Sequence, residues 1–322
     1  MVSPGLGVRG LPRLAPELDD RALGRLLRQL RARPMPGLTD IQVDATEGLL
    51  RGTGTDWDRR WHRLASIAYA SADSNFSENW VQRCPKSVDA LVHSVWVQVL
   101  RADSASRLES PNALIRRCLA AERLRPADPA PWVALLAVLR LERRPRQMVM
   151  AAWHEIASRD PWHREGHLQQ VGYFSGDECG SHILEMEFLH RQRALMPWDA
   201  PAAGVELVVA VRDHHRTVRA GGINALTGDT WWQRPHNARL LEEGLARCIS
   251  FPRPRYAAVL EDLNVLAYAL VRAGRLADTP RVFRQIGTVA TGEPWQFLGD
   301  PAQEFAYWRG LALRRSARRP RD

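Results

Sequence analysis

The sequence predicts an all-α fold of stacked antiparallel helical hairpins with no sheet, and three observations carry that expectation. A beat runs through the middle of the chain. Pro126, Pro161 and Pro197 stand 35 and 36 residues apart, each in a turn between two apolar-periodic stretches. A fixed period of this length, made of paired helices, marks an α-solenoid. Apolar residues also recur at spacings of three and four, as in Val88, Leu91, Val92, Val95 and Val99, the pattern of helices with a buried face. Finally, alternating strand-type runs are nearly absent.

Each segment follows from local signals. Residues 1–20 are punctuated by Gly and Pro and read as disordered. Arg21 to Arg33 reads as a short basic amphipathic helix, with Leu23, Leu26, Leu27 and Leu30 on one stripe and Pro34 and Pro36 to stop it. That helix and a loosely structured Gly-bearing loop fill residues 21–55. A helical repeat domain is expected over 56–315, opening on Asp56 as an N-cap. Its helices are expected at 56–68, 87–101 and 110–125, the last opening on Ser110-Pro111. The next two pairs are 131–140 with 146–158 and 164–174 with 181–195. Further helices follow at 202–218, 237–249, 255–272, 276–287 and 301–315, with a Gly-rich loop at 220–235. Residues 316–322 form a basic disordered tail.

Composition narrows the class. Of 322 residues, 45% are hydrophobic and 25% charged, the make-up of an ordinary globular chain. The net charge of +9 raises a nucleic-acid reading. Against it, Lys86 is the only lysine among 45 basic residues, a skew typical of GC-rich coding, so dispersed arginine is the default cation. Cys84, Cys118, Cys179 and Cys248 are far apart and form no CxxC pair. They are expected as buried free thiols in a reducing cytoplasm. No apolar run approaches the length of a membrane span, and residues 1–20 hold no signal core; a cytoplasmic chain without membrane contact is expected.

Around Leu263 to Gly287 the pattern becomes specific. Leu263, Leu266, Ala267, Leu270, Gly274, Phe283 and Ile286 occupy seven of eight signature positions of the tetratricopeptide repeat, with Thr279 where a small alanine is usual. This stretch resembles that family. Around Trp132 the likeness is weaker: Trp132, Leu135, Leu136 and Leu139 fit, but Arg143 replaces the turn glycine. At His167, Gln170, Val171 and Phe174 it is degenerate. The resemblance implies a right-handed superhelix of hairpins over about residues 110–290. The chain is also similar to helical-repeat proteins of GC-rich bacteria, which implies no function.

The densest polar cluster runs from His154-Glu155 through Arg159-Asp160-Pro161 to His163-Arg164-Glu165-Gly166-His167. If a helix opens near His163, then His163 and His167 lie one turn apart, a spacing that lets two imidazoles reach one cation. Glu155, or His182, Glu185 or His190 of the next helix, are the candidate further ligands, and an enzyme or metal-binding protein using residues 154–190 is one alternative reading. Arg164 follows the first histidine where a zinc-protease helix carries glutamate, and its charge opposes a cation. No phosphate loop and no nucleophile–base arrangement appears, so no catalytic residue or cofactor is implied.

The leading expectation is an adaptor that binds an unidentified protein or peptide in a concave groove. The groove would be lined by His163, His167, Gln170, Phe174, Asn264 and Tyr268, with Arg159 and Arg164. Trp231 and Trp232 are candidate surface contacts, since adjacent indoles in a polar loop cannot both enter one core. A nucleic-acid-associated regulator, using the basic ends and helix 21–33, is the third reading.

Overall fold

Nearly every stretch with three-and-four apolar spacing is helical in the structure, a computed structural model describing residues 11–31, 38–105, 107–221, 230–250 and 256–317. The expectations for residues 1–10, 222–229 and 318–322 lie outside the described residues. Fifteen α-helices are present among the described residues. The chain divides into two compact units, Asp20–Val205 and a discontinuous one made of Met1–Asp19 and Glu206–Asp322.

The Asp20–Val205 unit holds α1 (Arg21–Leu30), α2 (Leu38–Arg51), α3 (Trp57–Ser71), α4 (Phe76–Arg83) and α5 (Val88–Ala105). It continues with α6 (Pro111–Leu124), α7 (Ala130–Leu141), α8 (Arg146–Arg159), α9 (Arg164–Phe174) and α10 (His182–Leu195). Helices α3, α5, α7 and α9 pack one on the next in a row, while α4, α6, α8 and α10 each pack beside a member of that row. Two helices were not expected. α2 lies in the stretch read as a loop; its Glu47 accepts hydrogen bonds from Trp80 Nε1 at 2.8 Å and Ser87 Oγ at 2.6 Å, tying it to α4 and α5. α4 has only eight residues, too few for periodicity to declare itself.

A charge quartet, three of its members buried, ties the row together. Arg60 on α3 donates from Nε to Asp89 Oδ1 of α5 at 3.0 Å, and its Nη2 pairs with Asp89 Oδ2. Arg60 Nη1 donates to the Leu50 carbonyl at 2.9 Å and to Thr53 Oγ1 at 3.2 Å, closing the α2–α3 turn. Asp128, in the α6–α7 turn, stands 3.7 Å from Arg60 Nε and accepts from Arg125 at 3.0 Å. Its other oxygen accepts the Ala130 N–H at 2.9 Å at the start of α7. The Asp128 side chain is fully buried and those of Arg60 and Asp89 nearly so. Arg60 and the part-exposed Arg125 face Asp89 and Asp128, so the four charges balance, which lets the three buried ones be tolerated in an interior.

The discontinuous unit holds α11 (Val205–Arg219), α12 (Pro235–Ser250), α13 (Val259–Arg272), α14 (Thr279–Ile286) and α15 (Pro301–Ala317). The expectation of no sheet needs correction. Strands β1 (Arg13–Leu14) and β2 (Val289–Ala290) pair in parallel, Arg13 with Val289 and Leu14 with Ala290. Part of the segment read as disordered is thus anchored: Arg13 N donates to Thr288 O at 2.9 Å, and Ala15 and Leu18 are buried. Asn264 holds this corner from α13. Its Nδ2 donates to Val289 O at 3.1 Å, and its Oδ1 accepts from Trp295 Nε1 at 2.8 Å. Trp295, Phe283 and Phe305 are fully buried around it.

The hairpins α7–α8 and α13–α14 share one turn. Arg144 N donates to Leu139 O and Arg275 N to Leu270 O, both at 2.9 Å. The preceding residues, Arg143 and Gly274, sit in the left-handed region at φ 50° and 70°, the usual helix C-terminal motif. Glycine adopts that region without cost, whereas a residue with a Cβ is strained by about 1–2 kcal/mol. Arg143 in the α7–α8 hairpin therefore keeps the turn at a penalty.

Two outcomes follow from this packing. Arg60→Met strips the quartet of its central cation and is expected to cost about 3–5 kcal/mol in denaturant unfolding. Arg60→Met combined with Asp89→Leu should cost clearly less than the two single losses added together; a double loss equal to their sum would mean the charges act separately. Gly274→Ala is expected to lower stability by about 1 kcal/mol, and Arg143→Gly to be neutral or stabilising by a few tenths. Thermal midpoints of the two variants check this pair.

Candidate functional site

The turn between α8 and α9 is built by short-range chemistry. Asp160 ends α8, and its Oδ1 accepts the Trp162 N–H at 3.3 Å. His163 then caps α9: its Nδ1 accepts the Gly166 N–H at 3.2 Å. A Cβ at Gly166 would lie 3.0 Å from Ile156 Cγ2, so glycine here lets α9 settle closely on α8. One turn on, His167 Nδ1 lies 3.0 Å from the His163 carbonyl.

These partners fix both tautomers. An Nδ1 that accepts a backbone N–H must be bare, so neutral His163 carries its proton on Nε2. An Nδ1 facing a carbonyl must carry the proton, so His167 Nε2 is the bare nitrogen. Burial drives the two imidazoles down to about 3 for His163 and about 4 for His167. Both rings are therefore neutral at ordinary pH. The His163 Nε2 atom is buried without a hydrogen-bond partner, as are Trp61 Nε1, Trp132 Nε1 and Gln170 Oε1.

Aromatic rings enclose this turn. Trp61 of α3 meets Trp96 of α5 edge-on at 4.7 Å and meets His163 at 5.4 Å. Trp153 lies edge-on to His167 at 4.9 Å, with Phe188 of α10 against both rings. Asp160 is the one titratable group here poised near neutrality. Burial, with the Asp58 charge adding to it, raises its carboxyl to about 6.

The expected groove residues therefore divide into two places. His163, His167, Gln170 and Phe174 converge on α9, but all four are buried, Gln170 and His167 almost completely. Arg164 is also buried. Arg159 is spent on the turn, donating to Pro126 O at 2.6 Å and lying 5.5 Å from the centre of the Trp132 ring. Asn264 and Tyr268 belong to the other unit, where Asn264 pins β2 and Tyr268 packs edge-on against Trp295. These side chains fill an interior and line no open groove, because the histidine face of α9 turns onto aromatic neighbours.

The remaining site expectations are placed as follows. Trp232 is buried at 3% exposure, so that indole is not on the surface, and Trp231 is half-buried. The chain turns between them, with Asn237 Nδ2 donating to Trp231 O at 2.9 Å and Arg234 lying over the Trp231 ring. Of the proposed metal set, Glu155 pairs with Arg159 and exposed His182 lies 3.6 Å from Glu185. Among the described residues, no three of His163, His167, Glu155 and His182 offer ligand atoms within 4.8 Å of one another. The tautomer of His163 also leaves its Nε2 no lone pair for a cation. Cys118 and Cys248 are buried as expected, whereas Cys84 is half-buried and Cys179 exposed. The quartet around Arg60 escaped the sequence reading, since nothing in linear spacing announces partners 29 residues apart.

No family model matches the chain, and the comparison with curated proteins returns no match. No helix among the described residues is long and apolar enough to cross a membrane.

The buried imidazoles set the acid response. His93, which contacts Ser71 and Ser77, is also pushed down to about 3 by burial. Unfolded, each histidine titrates near 6.5, so below that pH the unfolded chain takes up protons that the native chain refuses. Stability is full above about pH 6.5 and is lost as pH falls towards 4, by up to about 1.4 kcal/mol per pH unit per histidine. Asp160 works the other way between about pH 6 and 4, joined by Asp128, which burial also raises, against four lowered imidazoles once His215 is included. The thermal midpoint is expected to fall between about pH 7 and 5, and His163→Phe should flatten that fall by about one proton. A midpoint level across this range would contradict the assignment.

Proposed function

We propose that the chain is a binding scaffold for a protein or peptide partner, built as a tetratricopeptide-like right-handed array of helical hairpins. The observation that carries this reading is the succession α3, α5, α7, α9, each packed on the next, with α4, α6, α8 and α10 beside them. Arrays of this kind stabilise themselves through nearest-neighbour faces and present extended surfaces for recognition. The shared turn at Arg143 and Gly274 supports the likeness of the hairpins.

The recognition surface differs from the one the sequence suggests. With the α9 face enclosed, the reading moves to the last helix of the Asp20–Val205 unit. A terminal helix in such an array normally turns a polar face outward. On α10, Ile183 is 77% and Leu195 73% exposed. A partner that covers them would finish the array.

Photo-crosslinking tests this reading. A crosslinking residue at position 183 or 195 is expected to give one discrete adduct with a cell protein, and the exposed polar position Gln147 on α8 none. Ile183→Asp should abolish the adduct at 195 while moving stability by no more than about 0.5 kcal/mol. His167→Ala should lower stability and leave the adduct in place. Adducts equal at all three positions, or none, would end the proposal.

A further inference from the structure

Helix α1 carries charges that the fold leaves unanswered. Arg21, Arg25, Arg28 and Arg31 recur at spacings of four, three and three, which sets them along one face of the helix and its first flanking residue. All four are exposed. Leu23, Leu26 and Leu27 occupy the opposite face and are buried. No acidic residue stands in the first turn of the helix. Asp20, which caps it, is already committed: Oδ1 accepts the Ala22 and Leu23 N–H groups, and Oδ2 accepts from Arg63 at 2.7 Å. Among the described residues, none of the four guanidinium groups has an ion pair or hydrogen bond. Arg60, Arg63, Arg83, Arg125 and Arg159 of the same unit all meet carboxylates.

Like charges at these spacings repel, at about 0.2–0.5 kcal/mol per neighbouring pair. Three such pairs in succession weaken α1 unless an anion lies against it. The stripe spans eleven residues, whose ten rises make about 15 Å of helix. Duplex nucleic acid offers one phosphate per about 1.7 Å of its axis, so each guanidinium has a phosphate within that span. An anionic membrane fits less well. Amphipathic helices hold a bilayer by inserting their apolar face, and the leucines of α1 are committed to the interior.

We propose that α1 docks on the phosphodiester backbone of duplex nucleic acid through Arg21, Arg25, Arg28 and Arg31. Phosphate contacts alone carry no base information, so this binding is independent of sequence. It goes beyond the protein-binding reading and does not depend on it.

The full chain, titrated onto a fluorescent DNA duplex of about 20 base pairs, tests this by anisotropy between about 50 and 200 mM salt. Four phosphate contacts predict a log–log salt slope of about −3.6, or roughly 150-fold weaker binding across that range. Replacing all four by Gln (R21Q, R25Q, R28Q, R31Q) should bring the slope close to zero. The pair R25Q and R28Q alone should remove about half of it, which keeps the test valid if the quadruple variant does not fold. Replacing the exposed arginines 107, 116, 123 and 143 by Gln should leave affinity within about threefold, since they lie off the stripe. A flat salt response, or equal losses from the two quadruple variants, would overturn the proposal. So would α1-dependent binding to phosphatidylserine vesicles without binding to the duplex.

Discussion

The row of helices in the Asp20–Val205 unit depends on a charge-balanced knot at its centre. Arg60 reaches from α3 to Asp89 on α5, to the turn before its own helix and towards Asp128 at the head of α7. Apolar packing alone tolerates sliding, because ridges and grooves offer several nearby registers. A guanidinium fork bound to a carboxylate does not slide, since a shift of a few ångströms leaves buried charge without a partner. The quartet therefore contributes register more than net stability. Once α3, α5 and the α6–α7 turn are fixed by it, the aromatic contacts further along the row have only one arrangement to adopt.

Enclosure of the α9 face follows from that registration. Trp61 directly follows Arg60 on α3 and touches rings on both α5 and the start of α9. The first and last members of the row thus meet over an indole. A solvent-filled channel along these helices has no room at that level. Indole and imidazole N–H groups were left inside without partners, a cost that rings packed for shape alone would avoid. Such groups are where ordered water is held in an interior.

Much of the helical framework was legible in the sequence, for a physical reason. Long helices with one apolar face write their period into fifteen or so residues, and α5 through α10 fall within a few residues of where the spacing puts them. α2 stayed hidden because glycines at 48, 52 and 54 argue for a loop, while Glu47 and its distant partners argue for a helix only once folded. The i, i+4 relation of His163 and His167 was legible; which way that face points was not. Orientation depends on what α3, α8 and α10 bring against it, and Trp61 stands about a hundred residues away in the chain. The parallel pairing of β1 escaped for the same reason, since two residues of strand carry no periodicity.

That small strand pair has a temporal consequence. Arg13 pairs with Val289, so the leading segment of the chain meets its partner only after some 276 residues have been added. At about 5–20 residues per second on a ribosome, the delay is roughly 14–55 s. In that interval the continuous Asp20–Val205 stretch has everything it needs to organise, while Ala15 and Leu18 wait uncovered. Residues 13 and 14 are thereby made well before the strand that fixes them.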